Sequence, residues 1–328
     1  HHGILPNIDK KEKWGGQLTK RIITNSIGFI DKKNRTVLKN NPEKKRIVLI
    51  GDSFIEGSGL NYKDTLAGLL DSYLGDNYEI LNSAVGSYSP SIYFKKTEYF
   101  INQGYTFDQA IIFLDVSDIF DELFIQFDEN ENILTYEERK NRGKLKTSFY
   151  SLGRFLRDNT VSFRLFNLLS DKTEISKNYL KLKFKAAKNL NKEFFQTNRN
   201  DVMFYRMTHV DRGYWTFNEK KFSEIKNGLQ QSEKYLEKLF NLLKKNNIAS
   251  TLVVYPWPTQ IFFGDNYHEK HWRNFSQSHN INFLSMYKYF TSEDDKKFIL
   301  DNFLYGDVHW NKNGTQIIFE NVIKNIEF

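Results

Sequence analysis

Between residues 46 and 115 the chain repeats one pattern: a short apolar run, a segment of helical period, then another run. The runs are Arg46-Ile47-Val48-Leu49-Ile50, Tyr78-Glu79-Ile80-Leu81-Asn82 and Gln109-Ala110-Ile111-Ile112-Phe113-Leu114-Asp115. The first is continuous rather than alternating, which suits a strand covered on both faces in a parallel sheet. Between the runs, Leu66, Leu69, Leu70 and Tyr73 fall at helical spacing behind Asp64 or Thr65 as a cap, and residues 90–103 read as a further helix. Such repeats wind right-handed, with helices on both faces. The expected fold is a three-layer α/β/α parallel sheet of the flavodoxin-like kind. Sheets of this type bind ligands beyond the carboxyl ends of their strands, so the residues that follow each run are the ones to search for chemistry.

The rhythm breaks in the middle. The region of about 120–245 reads as a mainly helical insertion, with 120–215 as a lid beside the sheet. Within it, residues 146–194 carry Lys, Phe, Leu and Asn at helical spacing, and 218–246 form one long amphipathic helix. The sheet pattern returns with Ile248–Tyr255, closed by Pro256-Trp257-Pro258, and with Asn280–Leu284. A last helix starts at Gly314. Residues 1–45 form a polar, irregular extension holding one structured turn, Thr24-Asn25-Ser26-Ile27-Gly28-Phe29, and residues 46–328 form a single domain. His1 and His2 read as the remnant of a tag in place of the natural N-terminus, with which a leader or anchor could have been removed.

Composition narrows the classes. The 47 basic and 40 acidic side chains give a net charge of +7, but Lys and Glu alternate along the helices and no Arg-rich arm is present, so no nucleic-acid partner is expected. The chain has no cysteine, which excludes disulfides and thiolate metal sites. No run of about eighteen apolar residues exists to span a bilayer.

Ser53 ends the first run, in Ile50-Gly51-Asp52-Ser53-Phe54. A serine delivered by a strand to the start of the next helix stands where backbone amides and the helix dipole favour an oxyanion. The same serine could simply cap that helix. Near the far end stands Gly306-Asp307-Val308-His309-Trp310-Asn311. There His309 can take the Ser53 proton while Asp307 orients and stabilises the imidazole. The pairing of the two segments is far more specific than either one.

With these residues the sequence resembles the SGNH (GDSL-like) hydrolase superfamily over about residues 46–120 and 250–325. Gly51-Asp52-Ser53-Phe54 matches the nucleophile block. Asn82-Ser83-Ala84-Val85-Gly86 matches the glycine block, and the resemblance implies that the Gly86 amide donates to the oxyanion along with that of Ser53. Where the family has Gly-x-Asn-Asp, this chain has Asp115-Val116-Ser117-Asp118, so Ser117 replaces an oxyanion-hole asparagine with a shorter hydroxyl. Asp307-Val308-His309 departs from the usual Asp-x-x-His. Asp-x-His-Trp is more like SGNH-like proteins that acetylate bacterial exopolysaccharides, although those order the triad differently along the chain. Thr24–Phe29 resembles the Asn-Ser-x-Gly-Phe-Arg lead-in of many bacterial members, with Ile30 in place of the Arg.

The resemblance implies a serine esterase acting on a short acyl group, acetyl foremost, carried on a glycan or other small ester. A glycan O-acetyltransferase served by a membrane-bound acyl donor, and a glycan-binding protein without catalysis, are the alternatives. Cofactor and metal are expected to be absent, and the cell envelope or periplasm is the expected location. Asp52, Trp257 and Trp310 are expected on the substrate side, Trp257 as a sugar platform. Asp118, Asp121 and Glu122 read as solvated loop charges rather than a metal site. His268, His271 and His279 read as surface histidines. The Lys-rich aromatic stretch 176–194 reads as an amphipathic helix rather than a membrane-surface element.

Overall fold

The computed structural model describes residues 3–14, 18–134, 138 and 199–328. The expected helices within 146–194 lie outside the described residues. The chain divides into two compact units, one of His2–Leu123 with Met207–Phe328 and the other containing Phe124–Arg206. In the latter, Phe127 and Ile133 form an antiparallel bridge across a turn in which the Asp128 carboxylate takes the amides of Asn130 and Asn132, each at 2.8 Å.

The larger unit is a three-layer α/β/α structure. Its strands are β3 (Lys45–Ile50), β4 (Tyr78–Asn82), β5 (Gln109–Leu114), β6 (Ala249–Val254) and β7 (Asn282–Ser285), in the spatial order β4-β3-β5-β6-β7 and all parallel. The chain starts at β3, steps to one side for β4, then crosses back to β5 and builds outward. The order therefore reverses between β3 and β5, where this kind of sheet opens a crevice at its carboxyl edge. β5 is buried at every position, as its unbroken apolar run requires.

The connecting helices among the described residues are α1 (Ser53–Glu56), α2 (Leu66–Leu74), α3 (Pro90–Asn102), α4 (Val116–Glu122), α5 (Arg199–Thr208), α6 (Glu219–Lys245), α7 (Pro258–Phe263), α8 (Tyr267–Ser278), α9 (Asp295–Asn302) and α10 (Lys312–Asn325). Side chains cap several of them, Thr65 as expected for α2. Thr65 Oγ1 takes the Gly68 amide at 3.2 Å, Asn218 takes that of Lys221 at 3.0 Å, and Asn311 takes those of Asn313 and Gly314. α6 buries Ile225, Leu229, Leu236, Leu239 and Leu243 and packs along α3 and α4. It thus belongs to the sheet unit, and the segment that clusters apart, 124–206, is narrower than the expected 120–245.

The extension before residue 45 is not irregular. β1 (Asp9–Trp14) and β2 (Leu18–Ile23) pair as an antiparallel hairpin. Asp-Lys-Lys-Glu-Lys-Trp has no alternation of apolar residues, so its period could not be read. The turn that follows is locked from within. Asn25 Oδ1 accepts the amides of Ile27 and Phe29, each at 3.2 Å, while Gly28 turns at φ 77° against Ile4, where a side chain would collide. Arg35 then bridges Asp31 and Glu79, and Glu79 in turn takes Arg46 Nε at 2.7 Å. Arg46 is 1% exposed, and it also donates to the carbonyls of Leu38, Lys39 and Thr106.

Candidate active site

β3 delivers Gly51, Asp52 and Ser53 to the crevice. A Cβ on Gly51 would come within 2.8 Å of Ile55 and 3.4 Å of Phe113, so only glycine lets the chain turn this tightly beside β5. Asp52 caps the single turn α1 by taking the Phe54 amide at 3.0 Å, and Gly57 ends the turn at φ 84°. Ser53 is left half-buried at the head of α1.

The loop between α9 and α10 brings in the second half of the site. The amide of Leu304 donates to the His309 carbonyl, and Phe303 bridges Trp310, so residues 304–309 form a closed loop. His309 Nε2 lies 2.8 Å from Ser53 Oγ, and His309 Nδ1 lies 2.6 Å from Asp307 Oδ1. The same carboxylate oxygen accepts the His309 amide at 3.1 Å, which fixes Asp307 to its own loop. Phe54 packs on the imidazole with ring centres 4.6 Å apart, and on Trp310 at 4.8 Å. Burial alone would lower the His309 pKa. The hydrogen bond and charge of Asp307, with Asp52 and Asp115 behind, outweigh it and hold the pKa above the ordinary histidine value. Serine, histidine and aspartate therefore form one continuous hydrogen-bonded line.

Three carboxylates lie beneath it. Oxygens of Asp52, Asp115 and Asp118 come within 4.8 Å of one another, all buried. Each accepts bonds from its surroundings: Asp52 from Ser53 at 3.0 Å, Asp115 from the Ser117 amide at 2.6 Å and Trp257 Nε1 at 2.8 Å, Asp118 from the Tyr93 hydroxyl at 2.9 Å. Burial, then the charge of Asp115, pushes Asp52 up to about 7, and the same causes push Asp118 well above the usual carboxylate range. Protons held within the cluster thus relieve part of its charge. Ser53 has one hydroxyl proton and two neighbours able to take it. When Asp52 is protonated it donates to Ser53 Oγ instead, and the Ser53 proton is left aimed at His309.

Several expectations need correction. Asp52 is 2% exposed, a support under Ser53 rather than a substrate contact. Trp257 and Trp310 are each 3% exposed, so neither offers a face to a sugar. Trp257 instead holds Asp115, and Trp310 packs on Tyr255 with ring centres 4.5 Å apart. Asp118, Asp121 and Glu122 are helical rather than loop charges: Asp118 and Glu122 are buried, and Asp121 takes Arg212 Nη2 at 2.7 Å. His268 is fully buried and its pKa is driven down to about 3 by that burial, because the His268 and Trp272 spacing turns this face of α8 inward. His271 meets Glu233 at 3.0 Å. Ser117 is buried in the first turn of α4, its amide engaged by Asp115.

Gly86 stands beside Ser53, a Cβ on it coming within 3.6 Å of Ser53 Cβ. Its amide is occupied: it donates to Glu56 Oε2 at 2.7 Å. The other oxygen of Glu56 accepts Lys20 Nζ from β2 at 3.1 Å. Neither Glu56 nor Lys20 was singled out in the sequence, because Lys20 comes from the unread hairpin and Glu56 looks like any surface glutamate of a short turn.

Fold and site together define a doubly wound parallel sheet with a serine-histidine-aspartate line at its switch point. No family model and no curated protein matches the chain. Solved structures similar to it include TesA, at 9% identity and TM-score 0.45 over 86% of this chain and 98% of that one. A lipolytic protein of the G-D-S-L family from Desulfitobacterium hafniense is similar at 11% identity and TM-score 0.43, over 86% of this chain and 100% of that one. A catalytic mutant of the acetylxylan esterase Axe2 from Geobacillus stearothermophilus is similar at 12% and 0.42, over 89% and 97%.

Proposed function

We propose that the protein is a serine esterase for short acyl esters, O-acetyl foremost, borne on a carbohydrate. The supporting observation is the unbroken line from Ser53 Oγ through His309 to Asp307, with contacts of 2.8 and 2.6 Å. In this reading Ser53 Oγ attacks the ester carbonyl as His309 Nε2 takes its proton, and Asp307 stabilises the imidazolium. His309 returns the proton to the leaving alcohol. Water then attacks the acyl-serine by the same route in reverse. The Ser53 amide, at the head of α1, is one donor for the oxyanion.

The test is hydrolysis of p-nitrophenyl acetate by the wild type and Ser53→Ala, with and without added oligosaccharide. Turnover that falls to background in Ser53→Ala is the expected result. Equal rates in both would overturn the assignment, and a sugar-dependent rise in acetyl transfer would replace hydrolysis by transfer.

A further inference from the structure

The geometry points to Glu56 as an internal occupant of the oxyanion site, a carboxylate that must leave the Gly86 amide before Ser53 can complete acyl transfer. The inference rests on the esterase reading and concerns the same site. α1 places Ser53 and Glu56 three residues apart on one face of a single turn, so the nucleophile and this carboxylate face the same space. Gly86 closes that space from the end of β4, its would-be Cβ lying 3.4 Å from Glu56 Oε2 and 3.6 Å from Ser53 Cβ. An amide donating at 2.7 Å to a carboxylate has no second proton for a tetrahedral oxyanion. An oxyanion beside an ionised carboxylate would also be repelled. Glu56 offers the amide what a transition state would offer it: an anionic oxygen.

Lys20 makes the arrangement durable. Its side chain is 2% exposed and lies 3.1 Å from Glu56 Oε1 and 3.7 Å from Glu12 Oε2. Glu56 is 13% exposed, so it reaches solvent more readily than its partner. The hairpin that carries Lys20 and Glu12 therefore acts as a latch. A substrate that draws Glu56 toward Lys20 frees Gly86 and assembles the hole, so the enzyme is slow toward esters that cannot do so.

The experiment measures the second-order rate of Ser53 modification by a small p-nitrophenyl phosphonate, and kcat/KM for p-nitrophenyl acetate, in wild type, Glu56→Ala, Glu56→Gln and Ser53→Ala. Freeing one oxyanion donor should raise both rates in Glu56→Ala by about 10- to 100-fold. Glu56→Gln keeps the volume, removes the charge and should rise by less. Sodium acetate should inhibit Glu56→Ala competitively, by refilling the vacated place, at concentrations that leave the wild type unaffected. A merely structural glutamate would not produce that inhibition. Ser53-dependent rates that fall or stay level in both Glu56 variants overturn the role of Glu56 and leave the nucleophile standing. Rates that Ser53→Ala does not abolish overturn the esterase reading itself, and this inference with it. If Glu56→Ala fails to fold, Glu56→Gln alone decides.

Discussion

His309 must be neutral to take a proton, and Asp307, Asp52 and Asp115 all favour its charged form. The kcat/KM for a small ester should therefore climb with pH and level off above the ordinary histidine range of about 6.5. Asp307→Asn removes the strongest of those influences. It should cost on the order of 10³–10⁴ in rate, with the remaining acid limb shifted to lower pH. A pH–rate profile of both proteins checks this. Asp52 makes a separate prediction about stability. Its folded pKa is about 7, against about 3.9 unfolded. Between those values the folded state alone holds the proton, so this group's contribution shrinks as pH rises from about 4 to about 7. Asp52→Asn should gain on the wild type across that window and no further above it, as read by urea unfolding at pH 4, 5.5 and 7.5.

Among the elements, two contacts fix the frame on which the site rests. Gly228 in α6 lets that helix approach the Ile119 carbonyl of α4, and a methyl group there would press into the backbone. Gly228→Ala should destabilise by about 1–3 kcal/mol, a change that denaturant titration resolves. Arg46 holds Glu79 and three carbonyls under β3 and β4. Arg46→Met leaves a buried carboxylate whose remaining partner is Arg35, and should cost about 3–5 kcal/mol by the same measurement. How far the elements could be read from the chain follows from which of them use period and composition. The strands Arg46–Ile50 and Gln109–Leu114 and the helices α2, α3, α6 and α10 were legible, because burial on both faces and apolar period leave local marks, whereas α4 was read as a loop although Asp115 caps it. The segments Gly51–Phe54 and Gly306–Asn311, which the structure brings together at Ser53 and His309, were legible as motifs. The hairpin of Asp9–Ile23 was not, since its charged faces carry no alternation. His268, Trp257 and Trp310 were misplaced for a different reason: burial of a polar or aromatic side chain depends on which elements close over it, and spacing does not record that.

At the scale of the sheet, β5 is buried at every position and paired on both edges. Its amides should exchange with solvent more slowly than those of the edge strands β4 and β7, which hydrogen exchange read by mass spectrometry will show. Among the described residues, no helix is long and apolar enough to cross a membrane. The sheet also decides where chemistry can occur. Ser53 and Asp115 reach the same crevice only because the strand order reverses between β3 and β5. Ser53 and His309 meet across 256 residues, so the ribosome releases the proposed nucleophile long before its proposed base. A chain that ends before the 304–309 loop keeps Asp52 beside Ser53 but lacks His309. If the proposed reading holds, activity would appear only once that last loop docks, and the catalytic rate would count finished molecules.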